Sequence, residues 1–452
     1  MPHSAITAII LAAGRSTRMK SSLPKALHPI AGRPMLGHVL TTVGELDGAQ
    51  PILVVAPGLE AVANYARGLA GDIPVAVQAM PHGTGDAARA ALPALGTKEG
   101  VVLVIFGDTP LVRAETLKEM AAACDGKNAV VVLGFEAKEP AAYGRLVVDR
   151  SGALERIVER KDATPEEVKI TLCNGGAMAV RAEHLARLLG KLSDDNKAGE
   201  FYLTDIVAHA RAEGLGCAVV TAPEADIQGV NSRADLAAVE AETQRRLRRR
   251  AMDQGVTLSD PETVYLCVDT VFGQDVTVGQ NVVFGPGVAV AGNVTIKPFC
   301  HIEGGVIEEG AQIGPFARIR PGSEIGRDVH IGNFVETKKA KVEEGAKINH
   351  LSYIGDARVG AKANIGAGTI TCNYDGFNKH FTDIGAGAFI GSNSALVAPV
   401  TIGAGAYTGS GSVITTDVAP DALAVERTKQ FEKPGWAAAF RAKHMTRKKA
   451  GE

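Results

Sequence analysis

Apolar positions change their rhythm near the middle of the chain, and the two rhythms predict two architectures. Up to about residue 230, short apolar runs at Ile6–Ala12, Ile52–Ala56, Val75–Val77, Val101–Phe106 and Ala129–Leu133 alternate with Ala-, Leu- and Glu-rich stretches of helical character. This is the pattern of βαβ units on a mostly parallel sheet, a Rossmann-like α/β domain. Ligands of such a sheet bind beyond the carboxyl ends of its strands, so the loops just after strands are where chemistry is expected.

From Val278 to Ile414 the period is six. An aliphatic residue, usually followed by glycine, returns at Val278-Gly279, Ile313-Gly314, Ile331-Gly332, Ile365-Gly366, Ile390-Gly391 and Ile402-Gly403, with Val290, Ile296, Ile319, Ile348 and Ile354 in step. A helix needs a period of 3.6 and an ordinary strand a period of two, so neither fits alone. A parallel β-helix of hexapeptide repeats does fit: each short strand buries one aliphatic, and the next glycine is expected to turn the corner. One coil cannot bury its apolar row and must stack on its neighbours. With three hexapeptides per coil and ~4.8 Å between stacked strands, a prism of about nine coils is expected.

Between the two rhythms, Ser232-Arg233-Ala234-Asp235 reads as a capping-box-like helix start, and no Gly or Pro follows until after Asp253. Leu236, Val239, Thr243 and Leu247 share a face, and Arg245, Arg246, Arg248, Arg249 and Arg250 fall in the second half, where they suit the helix dipole. The arginines are expected at a solvated helix end or against a neighbouring chain. The expected domains are therefore 1–231, a linker helix over 232–252, and 253–452, with coils from about Val264 and a basic, solvated tail after Asp421.

Composition narrows the function classes. A chain of 452 residues is too long for one core. A net charge of −2 gives no global field for nucleic acid, and no apolar stretch approaches the ~20 residues of a membrane span. The start MPHSAITAIILAAG lacks a basic leader and reads as a first strand, not a signal peptide. Six scattered cysteines without CxxC spacing suit a reduced, cytoplasmic protein.

The first strand runs into Leu11-Ala12-Ala13-Gly14-Arg15-Ser16-Thr17-Arg18-Met19, with Pro24-Lys25 after it. A glycine turn lets backbone N–H groups approach phosphates, and Arg and Lys supply the charge for a polyanion. Later loops hold Gln78, His82-Gly83-Thr84-Gly85 and Phe106-Gly107-Asp108-Thr109-Pro110. A carboxylate at a strand end beside phosphates suits Mg²⁺, although Asp108 alone reads equally well as a helix cap. Tyr143-Gly144-Arg145, Val158-Glu159, Cys173-Asn174-Gly175-Gly176, Gly199-Glu200-Phe201-Tyr202-Leu203-Thr204-Asp205 and Gly229-Val230-Asn231 follow. Together these motifs resemble the nucleotidyltransferase signature of sugar-nucleotide pyrophosphorylases, except that Ser16 stands where the family has a second glycine.

The resemblance implies that Leu11, Ala12, Ala13, Gly14, Gln78, Gly83, Thr84, Phe106 and Gly107 bind a uracil nucleotide. It implies too that Lys25 and Arg18 neutralise phosphates in catalysis, Asp108 and Asn231 hold Mg²⁺, and Gly144, Glu159 and Asn174 hold the sugar.

In the repeats, Thr371 to Asp383 interrupts the register without breaking it, so a loop is expected to project there. Upstream lie Arg320, Lys338-Lys339 and His350-Leu351-Ser352-Tyr353. Stacked coils bring equivalent positions onto one face, so Arg320 and Lys338 are expected to converge on a phosphate. His350 suits general-base work, or equally a structural corner hydrogen bond. The segments Gly314-Pro-Phe-Ala-Arg-Ile-Arg320, Asn333-Phe-Val-Glu-Thr-Lys338, His350-Leu-Ser-Tyr353 and Asn364-Ile-Gly-Ala-Gly-Thr-Ile-Thr-Cys-Asn-Tyr374 resemble the acetyltransferase half of the bifunctional N-acetylglucosamine-1-phosphate uridyltransferase/glucosamine-1-phosphate acetyltransferases. That resemblance covers nearly the whole chain and implies a left-handed β-helix and a homotrimer with this site between subunits. It makes His350 the base, places the sugar phosphate on Arg320, Lys338, Tyr353 and Asn364, and places acetyl-CoA on Ala367, Asn373, Tyr374, Ser392, Ser410 and Arg427. Ser410, often Ala in the family, is expected to act through its backbone.

The implied activity joins glucosamine 1-phosphate, acetyl-CoA and UTP into a UDP-sugar precursor of cell wall and lipopolysaccharide. Two other readings stand beside it: a pyrophosphorylase whose β-helix only regulates or assembles, and an enzymatically inert scaffold. Intact Lys25, Asp108 and Asn231 argue against the inert scaffold. A purely structural stack needs neither His350 nor Lys338.

Overall fold

The structure is a computed structural model that describes residues 5–14, 17–96, 99–140 and 143–449. The chain divides into two compact units, Met1–Arg249 and Arg250–Glu452.

The first unit is built on β1 (Ile6–Leu11), β2 (Gln50–Val55), β3 (Val75–Val77), β4 (Val101–Phe106), β5 (Asn128–Glu136), β6 (Arg145–Val148), β7 (Leu154–Val158), β8 (Leu172–Arg181) and β9 (Gly216–Thr221). Its helices are α1 (Met35–Gly44), α2 (Glu60–Ala70), α3 (Thr84–Ala90), α4 (Ala114–Ala123), α5 (Ala182–Gly190) and α6 (Ile206–Ala212). The main sheet runs β9-β5-β8-β4-β1-β2-β3, with β6 and β7 attached beside β8. All five apolar runs expected as strands are strands. β8, however, is antiparallel to both its neighbours, so the sheet is mixed.

Strands covered on both faces read as continuous apolar runs, with alternate residues serving opposite cores. In β1, Ala8 and Ile10 pack into one cluster and Ile9 and Leu11 into the other. The central strands β4 and β1 end side by side, Leu11 opposite Phe106, and the loops that follow them open on the same edge.

α7 (Arg233–Asp253) crosses the boundary between the units. Val239, Thr243 and Leu247 are buried on its expected inner face. The expectation of solvated arginines fails for Arg246 and Arg248. Arg246 pairs with Asp226 at 2.5 Å and with Glu242 at 2.7 Å, and Arg248 is buried. Charges persist in the interior where they are paired, and the two acids of Arg246, Asp226 and Glu242, lie within the same unit.

The second unit is a parallel β-helix. One of its faces is a ten-stranded sheet of very short strands from Thr257–Leu258 to Leu423–Ala424, so the stack has ten ranks where about nine were expected. The first rank lies ahead of the legible repeat. Val278 pairs with Ile296, eighteen residues on, and Ile296 with Ile313, making one aliphatic column. Most glycines that follow the repeat's buried aliphatics do not turn the corner, although Gly314, at φ +89, does. A Cβ on Gly366 would lie 2.5 Å from the Ile390 carbonyl, and one on Gly391 2.5 Å from the Ser410 amide, so glycine is needed there for the close approach of the next coil. The left-handed corner angle falls on other residues, among them Asn293, Asp328 and Lys362.

The tail is exposed as far as Met445, as expected of a solvated segment, and forms α8 (Trp436–Lys449), a helix not foreseen from the sequence. Ala437 to Ala439 and Ala442, with no Gly or Pro inside the segment, favour helix there. No helix among the described residues is long and apolar enough to cross a membrane.

Candidate functional site

At the edge where β1 and β4 end lies a cleft of about 280 Å³. Leu11, Ala12, Ala13, Gly14, Lys25, Gln78, Gly83, Thr84, Phe106, Gly107 and Asp108 line it, whereas the expected Arg18, Gly144, Glu159, Asn174 and Asn231 do not. Ala26, Pro81, Ala87 and Glu200 also line it and were missed. Glu200 sits in the Gly199–Asp205 run noted in the sequence, but only the fold carries that run to the Gly83 turn. There the Gly85 amide donates to the Phe201 carbonyl at 2.8 Å, and the Leu203 amide donates to Thr84 Oγ1 at 3.1 Å.

Gly83 has φ +103, and any Cβ there would meet the Phe201 carbonyl at 2.7 Å, so this position needs glycine. Gly14 has an ordinary φ and open space around it. Arg15 and Ser16 lie outside the described residues. Gln78 is buried and donates its amide hydrogens to the Gly83 carbonyl (3.0 Å) and to Asp86 (2.9 Å), which fixes the direction in which its own oxygen points.

Four segments meet at the rim. Lys25 Nζ donates to Asp108 Oδ2 and, at 3.2 Å, to Asn231 Oδ1, while Arg18 Nη2 donates to the same Asn231 oxygen at 2.9 Å. Two oxygens from separate loops, Asp108 Oδ2 and Asn231 Oδ1, thus both accept from Lys25 Nζ, with Arg18 on the second of them. One carboxylate and one amide oxygen form a hard donor set suited to Mg²⁺, which takes its remaining ligands from water and phosphate.

Gly144, Glu159 and Asn174 do not line the cleft, but they lie together. The Asn174 amide donates to the Gly144 carbonyl at 2.8 Å, and a Cβ on Gly144 would lie 3.5 Å from Glu159 Oε1. Burial pushes the Glu159 carboxyl above its ordinary pKa, against the hydrogen bond it accepts from Thr204 Oγ1 at 3.3 Å.

In the second unit one corner gathers five of the eleven expected acetyl-transfer residues: His350, Ala367, Ser392, Ser410 and Arg427. The Leu351 amide donates to the Asn333 carbonyl, that of Gly368 to His350, that of Asn393 to Ala367, and that of Gly411 to Ser392. Asn333, His350, Ala367 and Ser392 thus form a column along successive coils. Ser410 stands on the coil after Ser392, its amide the nearest atom to a Cβ on Gly391. Arg427 closes the row by donating to the Ser410 carbonyl at 2.8 Å.

His350 is exposed, and its Nδ1 meets Asn333 Oδ1 at 2.9 Å. An acceptor oxygen at Nδ1 keeps the proton on that nitrogen and leaves Nε2 as the basic one. Arg320 and Lys338 fall level on consecutive coils, following the Ile319–Thr337 pair. Arg320 is neutralised by Glu336 at 2.7 Å, and Glu336 is level with Tyr353. Neither Glu336 nor Asn333 was singled out from the sequence, although both lie in a quoted motif. Asn364 lies opposite Lys347 and Phe389, on the face next to the corner.

The loop after Ile370 projects as expected, with Phe377 at its tip 92% exposed. Asp375 accepts the Phe377 and Asn378 amides and meets His380 Nε2 at 2.7 Å, while Lys379 Nζ sits 4.1 Å over the Tyr374 ring. Asn373 is tied to Asp356.

Comparison with known proteins agrees with this division. The MobA-like NTP transferase domain family matches residues 8–169, and the bacterial transferase hexapeptide family matches 304–339 and 381–416, either side of the projecting loop. The bifunctional protein GlmU of Parvibaculum lavamentivorans is 67% identical over 450 residues, covering 100% of this chain and 99% of that one. That of Paramagnetospirillum magneticum is 56% identical over 99% of each chain, and that of Azorhizobium caulinodans 53% identical over 98% of each. With a nucleotidyltransferase-type sheet, a left-handed hexapeptide helix and these relatives along its full length, the chain belongs to the family of bifunctional GlmU proteins.

Proposed function

We propose that this protein catalyses two successive steps of UDP-N-acetylglucosamine synthesis: acetyl transfer from acetyl-CoA to glucosamine 1-phosphate, then uridylyl transfer from UTP to the product with release of pyrophosphate. The observation that carries the uridylyl step is the meeting of Lys25, Arg18, Asp108 and Asn231 at the mouth of the cleft. The sugar phosphate oxygen attacks the α-phosphorus of UTP and pyrophosphate leaves, a reaction governed by positioning and charge neutralisation. Lys25 and Arg18 neutralise the phosphates. Gln78, with its amide direction fixed, reads the base, and Gly144, Glu159 and Asn174 hold the sugar. Mg²⁺, held by Asp108 and Asn231, supplies further charge stabilisation when bound.

In the second unit His350 Nε2 takes the proton of the sugar amine as the nitrogen attacks the thioester carbonyl, and CoA leaves as the thiol. Asn333 holds the ring in the basic tautomer. Arg320, Lys338, Tyr353 and Asn364 bind the sugar phosphate, and the corner column with the projecting loop binds acetyl-CoA. The functional assembly is a homotrimer. Half-exposed Phe299, Phe316 and Phe334, stacked 4.9 and 5.2 Å apart along one corner, support that reading as an apolar strip suited to another copy. Six cysteines held as thiols, five of them buried, suit a reducing cytoplasm.

Two assays on the wild type test the proposal: thiol appearance from acetyl-CoA plus glucosamine 1-phosphate, and pyrophosphate appearance from UTP plus N-acetylglucosamine 1-phosphate. Both are expected. Pyrophosphate alone would leave the β-helix as an assembly or regulatory module.

A further inference from the structure

The loop that carries Arg18 and Lys25 is held from behind by one side of α7. Arg233, in the first turn, donates from Nε to the Met19 carbonyl at 3.2 Å and from Nη1 to His28 Nδ1 at 3.3 Å. Glu240, seven residues on and therefore on the same side, accepts the Ala31 amide at 2.7 Å. Its other carboxylate oxygen accepts from Gln244 Nε2 at 2.8 Å, which fixes its rotamer. Met19 and His28 are buried, so these bonds reach into the protein rather than across its surface.

The same helix end holds Asn231. Asp235 Oδ2 accepts the amides of Asn231 and Ser232 at 2.9 and 2.8 Å, and Ser232 Oγ accepts the Asp235 amide at 3.2 Å, a reciprocal cap. Arg18 and Lys25 then meet the Asn231 side chain from the other direction. One rigid helix end thus fixes both partners of the contact: the asparagine through its cap, and the cationic loop through Arg233 and Glu240.

We propose that Arg233 is a positioning residue for uridylyl transfer, with Glu240 as its second anchor, setting the distance between the Lys25 loop and the Asp108–Asn231 pair. This rests on the uridylyl-transfer reading above. The state of His28 suits the role: burial first, and the Arg233 charge second, hold its imidazole below the ordinary pKa, so that Nδ1 keeps the lone pair that accepts from the guanidinium.

The test uses full-length Arg233→Met, Arg233→Lys and Glu240→Ala. Pyrophosphate release is measured over a range of Mg²⁺ concentrations, with acetyl transfer by the same chain as an internal control and thermal unfolding as a check on folding. Displacing a catalytic group by about 1 Å costs roughly a hundredfold in rate. Arg233→Met is therefore expected to lower kcat by about 10- to 100-fold and to raise the Mg²⁺ needed for half-maximal rate, with acetyl transfer unchanged. Lysine can reach one acceptor but not both, so Arg233→Lys should fall between, and Glu240→Ala should move the same quantities by less. The Mg²⁺ dependence is the readout that a merely structural role would leave alone. Wild-type kcat and Mg²⁺ dependence in Arg233→Met would overturn the proposal, as would a loss that follows the unfolded fraction with half-saturating Mg²⁺ unchanged. Absence of pyrophosphate release from the wild type would instead sink the uridylyl reading, and this inference with it.

Discussion

On the proposed role of Glu159 in holding the sugar, a single side chain joins that step to pH. Its carboxyl is pushed above the ordinary range by burial, so on acidification it takes up a proton earlier than an exposed glutamate would. A neutral acid is a poorer acceptor for sugar hydroxyls. The KM for N-acetylglucosamine 1-phosphate should therefore begin to rise while the pH is still above the ordinary carboxylate range. Glu159→Gln should raise KM at all pH values and remove that acid-side onset; a profile identical in wild type and variant would show that Glu159 does not face the sugar. The residues lining the cleft could be picked out of the sequence because their motifs stand at the ends of strands β1, β3 and β4 or, for Lys25, in the segment that follows β1, and because together they match a family signature. Glu200 and Asp86 were not, because each matters through a neighbour that only the tertiary fold supplies: the Gly83 turn for one and the Gln78 amide for the other.

At the scale of elements, the six-residue period made the β-helix plain, since each buried aliphatic sits one strand beyond the last. The role of the following glycines was not plain, because the crowding comes from the next coil and not from the local turn. Gly391→Ala should accordingly cost about 2 kcal/mol of stability, the usual scale of overpacking, measured by urea unfolding of the second unit's transition. An unchanged midpoint would mean that the coils can spread to admit a methyl. β8 escaped sequence reading for the opposite reason: Asn174-Gly175-Gly176 at its start reads as loop, yet these residues form a bulged strand between β4 and β5. The projecting loop owes its shape to Asp375, whose carboxyl is held well below the ordinary range, first by the Asn378 amide and then by His380. A depressed acid stabilises the loop above its unfolded pKa and loses that contribution as pH falls through the folded one. Asp375→Ala should loosen the loop and raise the KM for acetyl-CoA several-fold while leaving pyrophosphate release untouched; an unchanged KM would separate the loop from acetyl-CoA binding.

At the scale of the whole molecule, the chain carries two polar centres, one on each of its two compact units. The cysteines take no part in this account. Cys124 is pushed up to about 12, and Cys217 and Cys300 to about 11, by burial, which leaves them protonated at neutral pH. If each centre works alone, damage to one should spare the other. Lys25→Ala is expected to abolish pyrophosphate release and keep thiol release. The most direct measurement is the reciprocal one, on full-length His350→Ala: thiol release from acetyl-CoA plus glucosamine 1-phosphate, set against pyrophosphate release from UTP plus N-acetylglucosamine 1-phosphate. Loss of a general base predicts at least a roughly hundredfold fall in thiol release with pyrophosphate release unchanged. Retained thiol release, or the loss of both activities in a protein that still unfolds cooperatively, would contradict the assignment of two independent sites.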